Sequence, residues 1–151
     1  MPSASIKKEI SCSKKDLIGM VLDIEKYPEF IPWCLDGKIY KVINKDNNVE
    51  ITADLTIGKS FFRETYKSFI IYNKRLDTIT VTNINGPLKR LNNEWTFRQK
   101  GKKSEIDFVI DFELKSKFLN LLMIKYFDKG LSKIVDAFEK RAIDLFKNTK
   151  N

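Results

Sequence analysis

The sequence predicts an α+β protein in which a curved antiparallel sheet of about seven strands is wrapped around one long C-terminal helix. Three observations lead to this fold class. Apolar and polar residues alternate in six successive segments across the middle of the chain, as they do in half-buried strands. Turn-forming residues separate these segments, so that consecutive strands can pair antiparallel. The C-terminal part instead repeats apolar residues at helical spacing, with no proline to interrupt it.

The N-terminal segment predicts one strand followed by one helix. Ala4–Ile10 places Ile6 and Ile10 on one face and charged residues on the other, which is typical of a strand. Ser13 can cap the first amides of the following helix, and Asp16 is a weak capping-box partner for it. The helix is expected to bury one face, formed by Leu17, Met20, Val21 and Ile24.

An aromatic segment, Tyr27–Trp33, follows this helix and contains two prolines. Proline disfavours helical geometry in the residue before it, so the segment is expected to be a turn or a very short helix. A proline-braced aromatic loop between a helix and a sheet is better suited to a lid than to a core. Phe30, Pro32 and Trp33 are therefore predicted to cover a binding site.

Six strands joined by short turns are predicted next. In one of them the odd-numbered residues from Val49 to Ile57 are apolar and the even-numbered residues are polar, so one face of the sheet is expected to be buried and the other solvated. Arg63 and Glu64 are adjacent, so one of them should enter the buried side unless a bulge intervenes. The predicted strands are Ile39–Ile43, Val49–Ile57, Phe61–Ile71, Thr78–Ile84, Leu91–Gln99 and Ser104–Glu113.

A helix of about 30 residues, roughly 45 Å long, is predicted from about Lys117 to Lys147. Gly130 weakens it by about 1 kcal/mol relative to Ala and is expected to mark a close approach of a ligand or a strand. The helix should pack its apolar stripe on the sheet within a single domain, residues 1–151, and a cavity can form between the two layers. The stripe consists of Leu119, Leu122, Met123, Tyr126, Phe127, Ile134, Phe138 and Leu145.

The composition excludes several kinds of chemistry. With no histidine, neither a Cys/His zinc site nor a Ser-His-Asp arrangement can form, and the glycines never approach a phosphate-loop spacing. The two cysteines lack C-x-x-C spacing and are interpreted as apolar filler in a reducing compartment. Asp111 and Glu113 are possible catalytic carboxylates, but the solvated face of their strand explains them better. No catalytic residue, no metal and no required cofactor are therefore predicted.

Nothing in the sequence directs the protein through a membrane. The N-terminus lacks the apolar stretch of a secretory signal. The longest apolar cluster, Phe118–Ile124, is far shorter than the roughly 20 residues that cross a bilayer. A cytoplasmic location is expected, with peripheral contact at the inner membrane face as an alternative.

The formal net charge of +8 suits an anionic partner such as RNA, a ribosome or an anionic membrane surface, although solubility alone explains it equally well. From Lys115 onward, nine Lys or Arg residues stand against four acids. Such a helix can follow phosphates with strong salt dependence, while a solvated face with i,i+4 ion pairs is an equally good explanation.

Three blocks of sequence carry a resemblance to a known family. Tyr27–Cys34 reads YPEFIPWC, GPLK at residues 86–89 is followed by Leu91, Trp95 and Phe97, and Asp111–Leu114 reads DFEL before the long helix. These blocks resemble, in the family's order, the coenzyme Q-binding branch of the START-like, polyketide cyclase/dehydrase superfamily. The resemblance extends over nearly all of the chain.

The resemblance implies a helix-grip fold and a hydrophobic ligand held in the core. The leading ligand is ubiquinone or a related prenyl quinone, carried without chemistry in support of respiratory electron transport. Bacterial members of the branch include a toxin that binds the large ribosomal subunit and blocks subunit association, and the motifs resemble both activities without separating them. An aromatic polyketide cyclase is a weaker alternative, because histidine is missing. DNA is not an expected partner.

A ligand site is predicted on the cavity side of the sheet and the long helix. A flat quinone ring can stack on Trp or Phe, and an isoprenoid tail can pack against Leu, Met and Phe. For any single residue, a filled core is the plain alternative. The predicted ligand-binding residues are Phe30, Pro32, Trp33, Leu55, Phe62, Trp95, Phe97, Phe108, Phe112, Leu122, Met123 and Phe127.

Overall fold

The computed structural model describes residues 3–59, 62–85 and 88–146. The predicted order of strands and helices is confirmed. The chain forms β1 (Ser3–Ile10), α1 (Lys14–Leu22), a 3₁₀ helix (Ile24–Glu29), β2 (Cys34–Asn44), β3 (Asn48–Lys59), β4 (Phe62–Asn73), β5 (Thr78–Asn85), β6 (Leu88–Lys100), β7 (Lys103–Leu114) and α2 (Lys117–Phe146).

The seven strands form one antiparallel sheet in the order β1-β7-β6-β5-β4-β3-β2. Strands β2 to β7 each pair with the next as a meander, and β1 lies beside β7. Partners opposite each other in an antiparallel pair share a face of the sheet. The face that holds the buried residues is here called the concave face, and its opposite the convex face. The concave face is lined by Ile51, Ala53, Ile70, Ile79, Trp95, Phe97, Ile106 and Phe108.

Strand β2 is longer than predicted, because it begins at Cys34 and not at Ile39. Two irregularities interrupt its pairing with β3, between Cys34 and Asp36 and between Ile39 and Lys41. Each bulge shifts the alternation of side chains by one residue, which hides a strand from a pattern of period two. The strand predicted to begin at Phe61 corresponds to β4, and Phe61 itself lies outside the described residues.

Local contacts fix the segment between β1 and β2. The Ser13 side chain caps α1 as predicted, since its hydroxyl accepts a hydrogen bond from the Asp16 amide at 3.1 Å. The 3₁₀ helix that follows contains Pro28. A Cβ at Gly37 of β2 would lie only 2.4 Å from the Ile24 carbonyl oxygen. Glycine at this position therefore lets β2 pack directly against the 3₁₀ helix.

The second half of α2 packs on the sheet through Leu131, Val135, Phe138 and Ala142, which are all buried. Lys8 of β1 forms ion pairs with Asp136 and Glu139 of α2, at 3.3 Å and 3.2 Å. The stripe does not continue to Leu145 as predicted, since that side chain is 47% exposed. The end of α2 lies next to α1, where Leu145 and Phe146 line a surface cavity. No helix in the described part of the chain is apolar over a length that would cross a membrane.

Strands β1 and β2 form the two edges of the sheet. On β2, the Ile39 amide donates a hydrogen bond to the Glu25 carboxylate of the 3₁₀ helix at 3.0 Å. A side chain therefore satisfies a backbone donor on this edge that has no strand to pair with.

Candidate functional site

The centre of the concave face is an aromatic cluster built on Trp95. Its ring is parallel to that of Phe97 with 6.1 Å between centroids, and it meets Phe108 edge-on at 4.6 Å. Phe138 of α2 meets Trp95 edge-on at 5.2 Å. All four side chains are at most 5% exposed. Helix and sheet are thus in direct contact at this cluster, which belongs to the larger of two buried clusters.

The smaller buried cluster consists of Leu91, Phe112 and Leu114 and involves the other ends of β6 and β7. Four half-buried side chains connect the two clusters on the concave face. Of these, Leu55 packs against the larger cluster, Tyr66 packs against the smaller cluster, and Val81 and Ile110 pack against both. These four residues, here called the interior strip, are Leu55, Tyr66, Val81 and Ile110. Apolar side chains that stay partly accessible on the inner face of a sheet are suited to contact with an elongated hydrophobic molecule.

Trp33 lies in the link between the 3₁₀ helix and β2 and reaches over α2. Its φ angle of 64° is rare for a residue other than glycine. Its carbonyl accepts a hydrogen bond from the Gly58 amide at 2.9 Å. A Cβ on Gly130 would come within 3.2 Å of the Trp33 ring, and Lys133 Nζ lies 6.0 Å from the ring centroid. The close approach expected at Gly130 is therefore made by the Trp33 ring, and not by a strand.

Phe30 packs on the end of α2. Its ring meets Phe138 edge-on at 5.2 Å, and the Arg141 guanidinium lies 5.0 Å from its centroid. Phe30 also lines a surface cavity of about 310 Å³ between α1 and α2. That cavity is separate from the interior strip, and its lining combines the apolar Met20, Phe30, Leu145 and Phe146 with charged residues. The charged residues are Lys15, Asp16, Asp23, Lys26 and Arg141.

Three polar groups in the interior lie near one another, namely Tyr27, Cys34 and Tyr66. The Tyr27 hydroxyl donates a hydrogen bond to the Val21 carbonyl. Burial raises the pKa of Tyr27 and of Tyr66 well above the usual range, and it raises the pKa of the Cys34 thiol to about 11. All three groups are therefore protonated near neutral pH, and the thiol is a poor nucleophile.

The structure brings part of the predicted ligand-binding set together. Trp95, Phe97 and Phe108 share one cluster, Phe112 lies in the other, and Leu55 belongs to the interior strip. Phe30, Pro32 and Trp33 are half-buried in or beside the link that precedes β2. The remaining side chains fall outside those that the structure describes, namely Phe62, Leu122, Met123 and Phe127. Ligand contact by this set stays a prediction.

Sequence reasoning missed Tyr66. The signal was present, because Tyr66 stands two and four residues before the buried Ser68 and Ile70 and so shares their face of β4. The expectation for Arg63 and Glu64 is confirmed, since Glu64 pairs with Ile57 on the concave face while Arg63 is exposed.

Asp111 and Glu113 lie on the convex face and form ion pairs with Arg90 at 2.9 Å and 3.9 Å. This agrees with their interpretation as residues of a solvated strand face. Within residues 3–59, 62–85 and 88–146, no three or more Cys, Asp or Glu side chains are grouped so that they could hold a metal ion.

Comparisons with known proteins agree with this architecture. The model of the family described as polyketide cyclase / dehydrase and lipid transport matches residues 16–139. The structure of a START superfamily protein from Mycobacterium smegmatis is similar with a TM-score of 0.79, at 17% identity, over 95% of this chain and 98% of that chain. The START-like fold expected from the sequence is confirmed.

Two curated relatives carry different names. The ribosome association toxin RatA of Rickettsia prowazekii (strain Madrid E) is 33% identical over 136 residues, covering 88% of this chain and 90% of that protein. The mitochondrial coenzyme Q-binding protein COQ10 of Dictyostelium discoideum is 29% identical over 143 residues, covering 92% of this chain and 68% of that protein. These names correspond to the two activities that the sequence resemblance left open.

Proposed function

The chain belongs to the polyketide cyclase / dehydrase and lipid transport family, and from this premise we propose that it binds a hydrophobic ligand in its interior without transforming it. The proposed ligand is ubiquinone or a related prenyl quinone, and the proposed role is that of a quinone carrier or chaperone in support of respiratory electron transport. The coenzyme Q-binding relative supports this ligand. The family description also names cyclases and dehydrases, but this sequence has no histidine to act as a general base near neutral pH.

The interior strip is the observation that carries the proposal. Leu55, Tyr66, Val81 and Ile110 stay half-buried on the concave face although helix and sheet touch at Trp95. A ligand of this class needs an apolar cavity of roughly 300 to 1,000 Å³, which we place along the strip. The isoprenoid tail would lie against the aliphatic members, and the ring would lie near Trp33 as its lid.

Organic extraction of the purified protein, followed by mass spectrometry of the extracted lipids, tests the proposal. Leu55→Trp should fill the space along the strip and lower the quinone content several-fold. Val109→Trp is the matched control, since it introduces the same ring at an aliphatic position that is 46% exposed on the convex face. The proposal would be contradicted if wild-type protein neither carries quinone nor takes it up. It would also be contradicted if Leu55→Trp and Val109→Trp both fold and lose quinone equally.

Ribosome association is the second candidate function. The ribosome association toxin RatA of Rickettsia prowazekii is 33% identical to this chain, and the match covers 90% of that protein. The net charge of +8 also favours a partner rich in phosphate. Lys133 and Lys140 of α2 are both exposed, so they could contact phosphates directly.

Cosedimentation with large ribosomal subunits tests this second candidate. Binding should weaken steeply as salt rises, because each phosphate contact releases counterions. A Lys133→Glu/Lys140→Glu variant should bind less than a Lys102→Glu/Lys103→Glu variant, which changes the net charge equally at two exposed residues where the turn after β6 leads into β7. Sedimentation that is insensitive to salt and to both variants would count against an electrostatic complex.

A further inference from the structure

Tyr66 occupies a special place in the interior strip. Its pairing with Leu55 places it on the concave face, and it packs against the cluster of Leu91, Phe112 and Leu114. It is half-buried, and burial raises the pKa of its phenol, so the hydroxyl stays protonated near neutral pH and can donate a hydrogen bond. Its partly accessible surface therefore lies on the inner side of the sheet, beside Leu55 and this cluster.

The Tyr66 hydroxyl has no hydrogen-bonding partner among the residues that the structure describes. Other polar groups in the interior do have one: the Tyr27 hydroxyl donates to Val21, and the Trp95 indole donates to Asn93 at 2.9 Å. A hydroxyl that a ligand covers loses its contact with water, which costs free energy unless the ligand offers an acceptor. The Tyr66 hydroxyl is therefore a donor on the concave face that is available to an acceptor on a ligand.

We infer that the Tyr66 hydroxyl donates a hydrogen bond to an oxygen of the bound ligand, and that it thereby selects elongated apolar molecules with an acceptor on the head group, such as a quinone carbonyl. The inference rests on the proposed function, because it concerns the same interior site. It also gives the ligand a direction. The head group lies beside Tyr66 and the nearby Cys34, and the tail extends along Val81 and Ile110.

Tyr66→Phe removes only the hydroxyl and tests the inference. Two probes that share a ten-carbon tail are compared by equilibrium dialysis: decylubiquinone, and decylbenzene, which has no oxygen. The variant should bind decylubiquinone roughly 3- to 10-fold more weakly, the effect of one lost hydrogen bond, and decylbenzene as tightly as wild type does. The infrared carbonyl stretch of the bound quinone should lie at lower frequency in wild type than in the variant.

Tyr72→Phe is the matched control, since Tyr72 is another half-buried tyrosine on the same face of β4. It should leave both affinities and the carbonyl frequency unchanged. If Tyr66→Phe leaves the quinone affinity and the carbonyl frequency unaltered, the inference is overturned and the proposed function stands. The same holds if Tyr66→Phe weakens the binding of both probes equally. Wild type that binds decylbenzene but not the quinone would also overturn the inference and leave only apolar binding. Wild type that binds neither probe would overturn both.

Discussion

Two tryptophans of the predicted site occupy different kinds of position. Trp95 is 5% exposed and contacts the rings of Phe97, Phe108 and Phe138. Trp33 is half-buried, has a left-handed backbone conformation and lies across Gly130. Trp95 thus joins the sheet to α2, whereas Trp33 belongs to the link between the 3₁₀ helix and β2 and lies outside the aromatic cluster.

Alanine substitution separates these two roles. Trp95→Ala should lower the free energy of unfolding by about 3 to 5 kcal/mol, as truncation of a buried Trp typically does. Trp33→Ala should destabilise the fold much less, but it removes an aromatic contact of about 1 kcal/mol from the ligand and should reduce quinone retention several-fold. Thermal unfolding and co-purified quinone are measured for both variants beside wild type. If Trp33→Ala keeps its quinone and loses as much stability as Trp95→Ala, then Trp33 is a core residue and not a lid.

At the scale of elements, one ion pair fastens the 3₁₀ helix to the end of α2. Glu29 accepts a hydrogen bond from Arg141 at 2.8 Å, and Lys26 lies 3.6 Å from the same carboxylate. The Arg141 guanidinium in turn covers the ring of Phe30. The segment that begins the proposed lid is therefore held to α2 by a charge that depends on pH.

Glu29→Gln should lower the melting temperature near neutral pH, and the difference from wild type should vanish in acid. The hydrogen bond from Arg141 holds the pKa of Glu29 below its ordinary value of 4.5. The stabilisation is therefore fully present above that value and is lost as pH falls through the lower pKa of the folded state. Glu94→Gln is the control, because it removes the charge of an exposed carboxylate that has no ion pair among the described residues. A constant difference across this range of pH would exclude the ion pair as the cause.

Regular elements were predictable because their patterns are local. The alternation in β3 and the apolar spacing in α2 depend on nearby residues only, and both were predicted nearly to their ends. The early start of β2 depends on bulges against β3, and the contact between Trp33 and Gly130 joins segments about a hundred residues apart. Similarly, alternation gives the face on which Tyr66 lies, but only tertiary packing determines whether its hydroxyl finds a partner.

At the scale of the whole molecule, a ligand in the interior would become part of the core. A ligand that binds only the folded state stabilises it by about 2.7 kcal/mol at 100 times its Kd. For a domain of this size that corresponds to a rise in melting temperature of roughly 5 to 10 °C. Lipid-free wild type should show this shift on addition of quinone, and lipid-free Leu55→Trp should show a smaller one at the same quinone concentration. A melting temperature of wild type that does not respond to saturating quinone would argue against an interior ligand.

An open sheet can recruit a strand from a second molecule at its edge, which is the first step toward fibrils. Strand β2 is such an edge, but the Glu25 carboxylate already occupies the Ile39 amide, and two bulges break the spacing of the remaining backbone groups. An incoming strand would meet an interrupted row of donors and acceptors that it cannot follow in register. The same sheet that leaves room for a guest between its layers is therefore protected against polymerisation along this side.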